Sequence, residues 1–190
     1  MTALTAKRTV EATVATPAEI PFDAVLAGQT PMLFKGLVGD WPIVQAGLQS
    51  PHAARDYIRA HGRGVRVVGY TGDPGIKGRF FYDQALTGLN FKAERASLED
   101  LLGRIEAVEG RDDAPSIYIG STDLDAYFPS LKVENDLDLG PEVYGPQPPM
   151  AGIWIGNRTV AAAHYDMSNN IAVCAVGRRR FTLFPPDQAG

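Results

Sequence analysis

This chain has only one cysteine, no long apolar run and no strong excess of one charge. Its 190 residues contain a single cysteine, Cys174, which excludes a disulfide within the chain. No uncharged apolar run approaches the roughly 18 residues that cross a bilayer. Lys7, Arg8 and Glu11 stand where a signal peptide needs an apolar stretch. We therefore expect a soluble protein of a reducing cytoplasm.

The net charge gives little indication of a partner. At −4, and without a long acidic tail, it favours neither nucleic acid nor a membrane surface as the main partner. The short basic run from Arg178 to Arg180 is more typical of a solvated strand end than of a nucleic-acid site. A hydrophobic content of 45% with 21% charged residues is the composition of a globular protein, and the length suits one domain.

The chain divides into an N-terminal arm, residues 1–21, and one domain over residues 22–190. Mixed α and β elements come first in that domain. Helices are predicted from Phe22 with a stop at Gly28, over Pro51 to His61, and from the capping residue Ser97. Strands are predicted at residues 31–36, 65–70 and 116–119.

Closely spaced strands dominate beyond Met150. They are predicted at residues 153–156, 159–166, 170–176 and 179–184, and Cys174 is expected to be buried in the third. The fold class is therefore mainly β with helices, with an N-terminal α/β segment. Roughly four strands in the last forty residues are too few to close a β-barrel.

The second of these strands ends in His164-Tyr165-Asp166. Because side chains alternate along a strand, His164 and Asp166 share one face and can hold the same ion. Two histidines and one carboxylate on one face suit iron(II) and leave positions open for a co-substrate and oxygen. His-x-Asp alone is a weak signal, and a hydrogen-bonded surface pair is the alternative.

A turn further along, Val176-Gly177-Arg178-Arg179, has the pattern of a two-residue hairpin. Its register would place Asn170 and Arg179 on one face of the sheet. A guanidinium there can hold a carboxylate in a bidentate fork, and an amide can add a neutral hydrogen bond. Without the metal motif nearby, a surface salt bridge would be the simpler interpretation of Arg179.

With these motifs in place, the chain resembles the cupin-like JmjC family of 2-oxoglutarate oxygenases, which includes the asparaginyl hydroxylase of hypoxia-inducible factor. The resemblance is densest from Trp154 to Gln188, in the run WIGNRTVAAAHYDMSNNIAVCAVGRRRFTLFPPDQ. It covers most of the chain from about Phe22. The upstream parts that carry it are Pro31-Met32-Leu33-Phe34-Lys35-Gly36, Trp41-Pro42, Tyr118 and Phe128-Pro129.

The resemblance implies a cupin-type double-stranded β-helix, or jelly roll, with Fe(II) and 2-oxoglutarate as cofactors. It makes His164 and Asp166 the metal ligands and catalytic residues. It places Arg179 where the family usually has a lysine on the distal carboxylate of 2-oxoglutarate, with Tyr118 and Asn170 as further co-substrate contacts. One departure is Ala161, which replaces a threonine that binds the co-substrate in some members.

The family takes its second histidine from a later barrel strand, and residues 1–190 offer no match for it. The other histidines, His52 and His61, belong to the predicted helix and its exit, and we do not expect them to be ligands. We therefore expect a domain truncated in mid-barrel. By itself such a chain should aggregate or swap strands, and it should not turn over 2-oxoglutarate.

Three functions are compatible with these features. The first is a hydroxylase of a protein side chain or small molecule; the second is a non-catalytic cupin-like binding module, since fold does not fix function. A metal-dependent isomerase cupin is the third, although such proteins usually carry several histidines in one motif. The substrate is not identified, and the resemblance also allows a homodimer.

Overall fold

The computed structural model describes residues 6–140, 143, 145, 147 and 149–185. The strands in this part of the chain are β1 (Ala12–Thr13), β2 (Leu33–Phe34), β3 (Arg66–Gly72), β4 (Arg79–Phe80), β5 (Phe91–Ser97), β6 (Ser116–Asp123), β7 (Gly152–Gly156) and β8 (Val160–Ala161). The helices are α1 (Phe22–Gly28), α2 (Pro42–Gln49), α3 (Pro51–His61), α4 (Leu98–Ala107), α5 (Leu124–Tyr127) and α6 (Pro129–Glu134), with short 3₁₀ helices at Pro17–Glu19 and Pro74–Ile76. No helix described here is long and apolar enough to cross a membrane.

The centre of the fold is a four-stranded antiparallel sheet in the order β5-β3-β6-β7. Two further pairs of short strands are parallel, β1 with β2 and β4 with β8. Because successive residues of a strand face opposite sides, the sheet has two different faces. We call them the helix-covered face and the cleft face.

The helix-covered face holds the hydrophobic core. Leu101 and Leu102 of α4 are completely buried, as is Ile119 of β6. Gly69 of β3 provides room for this packing, since a Cβ at that position would lie 2.6 Å from a methyl carbon of Leu101. Phe128, also completely buried, belongs to the same cluster and lies at the start of α6. Aliphatic side chains in close contact therefore attach the helices to the sheet.

Several sequence predictions are confirmed. Pro51–His61 is a helix, and α4 begins after Ser97, whose hydroxyl accepts a hydrogen bond from the backbone N–H of Asp100 at 3.1 Å. The predicted strands at residues 65–70, 116–119 and 153–156 correspond to β3, β6 and β7. Helix α2 and strand β5 were not predicted.

The predictions for the last part of the domain need correction. Of the predicted strand at residues 159–166, only Val160–Ala161 is a strand, and the strands predicted at 170–176 and 179–184 are absent. The chain bends at Gly177, where φ is +79°, but no ladder follows from it. A strand needs a partner for its backbone groups, and these two segments pair with no other strand in the described part of the chain. A closed barrel is therefore not present among the described residues.

Cys174 is exposed, and so the prediction that it lies buried in a strand is wrong. His52 and His61, which are not expected to be metal ligands, both lie in α3. Residues 1–5 of the predicted arm and Pro186 to Gln188 of the C-terminal motif lie outside the described residues.

Candidate functional site

The cleft face of the sheet carries aromatic side chains around a cleft of about 470 Å³. Tyr70 of β3 and Tyr118 of β6 are directly opposite each other in the register, so their rings lie side by side. Phe91 of β5 and Trp154 of β7 extend this row to both edges of the sheet, and Phe80 of β4 lies against it. Each strand therefore contributes alternate residues to the core and to the cleft.

The rings touch one another in a continuous cluster. Phe80 and Phe91 meet edge to face at a centroid distance of 5.2 Å, and Tyr70 meets Phe91 in the same way at 5.6 Å. The ring of Tyr118 lies 5.9 Å from Phe80 and 6.3 Å from Tyr70. Edge-to-face pairs of this kind are favourable beyond the apolar area they bury, and the cluster therefore forms a shaped wall.

Two residues that the resemblance assigns to the co-substrate meet at this wall. Burial raises the pKa of the Tyr118 hydroxyl, and the charge of Arg179 and its hydrogen bond to that hydroxyl act in the opposite direction. The Arg179 guanidinium also lies 5.2 Å from the ring centroid of Phe181. A guanidinium beside a phenol hydroxyl presents several donors to an anion.

The His-x-Asp segment starts next to the cleft. Strand β8 pairs with β4, placing Ala161 beside Phe80, and His164 follows three residues later. His164 Nδ1 lies 2.8 Å from the carbonyl oxygen of Ala162. Because a carbonyl only accepts, Nδ1 must donate, and Nε2 keeps the free electron pair that a metal ion needs.

Asn170 contacts the second predicted ligand directly. Its Nδ2 donates to Asp166 Oδ2 at 3.0 Å and to the carbonyl oxygen of Ser168 at 3.3 Å. The two side chains therefore form one exposed loop contact, and the amide is in a position to orient the carboxylate. The structure places Asn170 against Asp166, whereas the resemblance implies that Asn170 contacts the co-substrate.

The donor chemistry of His164 and Asp166 fits iron(II), but the ligand set is incomplete. In the part of the chain that the structure describes, no three His, Cys, Asp or Glu residues come together in a way that could hold a metal ion. His52 Nδ1 lies 2.8 Å from Glu106 Oε1, and His61 Nδ1 lies 2.8 Å from the Ser130 hydroxyl oxygen.

The segment between Asp166 and Arg179 is attached to the helices. Ala175 packs against the core cluster, and Val176 contacts α2 so closely that a Cβ on Gly47 would lie 2.9 Å from one of its methyl carbons. This contact brings the chain back toward Tyr118. The resemblance pointed to Tyr118 and Arg179. The cleft residues Phe80, Leu89, Phe91 and Trp154 were not predicted, because each shows in the sequence only as an aromatic or apolar residue in a strand or loop.

Comparison with known proteins supports the assignment at the level of the family. The family model of the cupin-like domain matches residues 17–190. The searches of curated proteins and of solved structures found no match.

Proposed function

The chain belongs to the cupin-like domain family, and from that premise we propose that it carries part of an Fe(II)- and 2-oxoglutarate-dependent oxygenase site of the hydroxylase type. The observation that carries the proposal is the meeting of Tyr118 and Arg179 at the aromatic cleft. These two residues are 61 positions apart in the sequence, so only the fold brings them together.

Iron(II) would be held by His164, Asp166 and a third ligand. The described residues do not bring a third ligand to these two. When bound, the iron activates oxygen for the oxidation of a substrate C–H bond, chemistry that no side chain supplies. The chain's own part is to present the ligands. His164 does so through the carbonyl of Ala162, which fixes the tautomer, and Asp166 through Asn170, which holds one of its oxygens.

Arg179 would bind the distal carboxylate of 2-oxoglutarate, and Tyr118 would donate its hydroxyl proton to the same group. A tyrosine hydroxyl is protonated at neutral pH, and burial shifts the pKa of Tyr118 further upward, so the hydroxyl remains a donor. The apolar rings lie on the Tyr118 side of this pair, whereas Arg179 itself is exposed. An arginine in the place of the usual lysine keeps the charge and offers two parallel hydrogen bonds.

For the fold, the proposal is a double-stranded β-helix to which residues 22–190 contribute a portion, with the sheet β5-β3-β6-β7 as part of its wall. The cytoplasm remains the proposed location, with a protein side chain or a small molecule as the substrate.

The metal assignment is tested by titrating the chain with ferrous ion under anaerobic conditions. Asp166→Ala should abolish the binding seen in the native chain. Asp112→Ala is the matched control, because Asp112 is a carboxylate whose side chain is 98% exposed and it is paired only with Arg158. Equal ferrous affinity in all three proteins would contradict the assignment.

A non-catalytic cupin-like binding module is the second candidate. The observation that favours it is the uncharged aromatic lining of the cleft, which is the chemistry of a binding pocket as much as of an active site. Succinate release with iron(II), ascorbate and 2-oxoglutarate separates the two. An oxygenase forms succinate, whereas a binding module takes up its ligand without consuming 2-oxoglutarate.

A further inference from the structure

Arg179 needs a contact that fixes its side chain if it is to bind a carboxylate. It lies outside every strand of the described chain, and its side chain is exposed. A free arginine side chain samples many rotamers, and selecting one of them costs free energy when a ligand binds. A neighbour that already holds the guanidinium reduces this cost.

Phe181 provides such a contact. The guanidinium carbon of Arg179 lies 5.2 Å from the ring centroid of Phe181. Within about 6 Å of the centroid, the negative face of an aromatic ring attracts a cation. The ring accepts no conventional hydrogen bond, so the N–H donors of the guanidinium stay available. Tyr118 uses part of that capacity, since its hydroxyl is hydrogen-bonded to Arg179.

The same contact suits arginine better than lysine at position 179. A planar guanidinium stacks on aromatic faces, whereas the ammonium of lysine is a compact and strongly hydrated point charge. Lysine is the residue that the resemblance gives as usual at this position. The ring of Phe181 and the arginine at position 179 therefore belong together as a pair.

We propose that Phe181 is a positioning residue, whose ring holds the Arg179 guanidinium beside the Tyr118 hydroxyl, where the carboxylate of the co-substrate binds. The identity of that carboxylate rests on the proposed function. The contact between the ring and the guanidinium itself needs neither iron nor 2-oxoglutarate.

Isothermal titration of the full chain with 2-oxoglutarate measures the effect on binding. Phe181→Leu keeps an apolar side chain but removes the ring, so it should raise the Kd about two- to fivefold, the size of a cation–π contact at an exposed site. Phe181→Trp carries the ring that attracts cations best and should keep the native Kd or lower it. A ring-fluorinated phenylalanine at position 181, nearly unchanged in shape but with a less negative ring face, should raise the Kd.

Phe184→Leu is the matched control. Phe184 lies in the same segment and is 53% exposed, against 54% for Phe181. Within the part of the chain that the structure describes, no cation lies over its ring. Phe184→Leu should therefore leave the Kd unchanged, and it shows the effect of losing an exposed ring from this segment as such.

Nitrogen-15 relaxation of the Arg179 Nε–H group measures positioning without the co-substrate. Arg179→Lys assigns the signal by removing it. The group should become more mobile in Phe181→Leu and stay as it is in Phe184→Leu. The signals of the neighbouring Arg178 and Arg180 are internal references and should not respond.

Three outcomes would overturn the proposal: a native Kd in Phe181→Leu, a Kd in Phe181→Trp as high as in the leucine variant, or equal mobility of Arg179 in Phe181→Leu and the native chain. If Arg179→Ala weakens 2-oxoglutarate binding while the Phe181 variants do not, the co-substrate site stands and the positioning role fails. If the native chain binds no 2-oxoglutarate, the co-substrate site fails. The relaxation data then decide by themselves whether the ring holds the guanidinium.

Discussion

The two faces of the central sheet use neighbouring residues of the same strands for different purposes. On β6, Ile117 and Ile119 are 2% and 0% exposed beneath the helices, whereas Tyr118 between them lines the cleft. The helix-covered face consists of aliphatic side chains in a closed core. The cleft face consists of rings that are partly open to water. Stability and binding are therefore expected to respond to different substitutions on one strand.

The largest effect is expected on the helix-covered face. Ile119→Ala removes a completely buried side chain and leaves a cavity, so it should lower the free energy of unfolding by about 2–5 kcal/mol. Urea denaturation followed by circular dichroism measures it. Tyr118→Phe, on the opposite face of the same strand, is the matched control and should cost less than about 1.5 kcal/mol, the value of one hydrogen bond. Similar losses in both variants would show that the faces do not differ in this way.

The next effect concerns the cleft face. Arg179→Ala should weaken the binding of 2-oxoglutarate by on the order of 2–5 kcal/mol, because the bound carboxylate would lose its charged, hydrogen-bonding partner. Arg179→Lys should be milder, since it keeps the charge, and Arg178→Ala should have little effect. Isothermal titration calorimetry compares the four proteins. If both Arg179 variants bind 2-oxoglutarate with unchanged affinity, Arg179 is only a surface charge and does not bind the co-substrate.

The helix-covered face was largely predictable from the sequence. Local signals determine its elements: Ser97 with the N–H of Asp100 starts α4, and the apolar spacing of Leu98, Leu101, Leu102 and Ile105 gives its buried side. Strands β3 and β6 were found because apolar β-formers are concentrated in them. Strand β5, with the sequence FKAERAS, was missed because its charged residues mask the alternation.

The cleft was only partly predictable, because it depends on which strands become neighbours. Tyr118 and Arg179 were identified through a family resemblance, and nothing local in the sequence shows that they meet. The strands predicted at 170–176 and 179–184 follow from real β-propensity, but propensity alone does not make a strand without a pairing partner. The same limit applies to Asn170, whose contact with Asp166 depends on the path of the loop.

The contact between Gly47 and Val176 joins the two regions, since α2 belongs to the helical layer and Val176 precedes Arg179. Gly47→Ala adds a methyl group that would lie 2.9 Å from a Val176 methyl, and valine has little freedom to rotate away. The variant should therefore release the segment. A nitroxide attached to Cys174, the single cysteine and an exposed one, should become more mobile by electron paramagnetic resonance.

Gly103→Ala in α4 is the control for this substitution, because a Cβ there meets nothing within 4 Å. It should raise the free energy of unfolding by about 0.5–1 kcal/mol through helix propensity and leave the nitroxide unchanged. If Gly47→Ala also leaves the nitroxide mobility unchanged, the segment around Val176 does not pack against α2.

The smallest effect is expected from the ion pairs that join α3 and α4 outside the core. Glu106 lies 2.8 Å from Arg59 and 2.8 Å from His52. These contacts lower the pKa of the Glu106 carboxyl to about 2, and the contact with Arg59 has the larger effect. A lowered carboxyl pKa stabilises the fold above the unfolded value near 4.5, and this contribution is lost as the pH falls toward 2. The free energy of unfolding should therefore drop between pH 5.5 and pH 3 by less in Glu106→Gln than in the native chain.

Urea midpoints at the two pH values measure this difference, which should be small because exposed ion pairs are weak. Glu99→Gln, which removes a more exposed carboxylate of the same helix that also faces Arg59, shows the effect of deleting a charge as such. An identical pH response in Glu106→Gln and the native chain would show that the ion pairs of Glu106 do not stabilise the fold. The apolar contacts of Leu101 and Leu102 would then hold α4 on the helix-covered face.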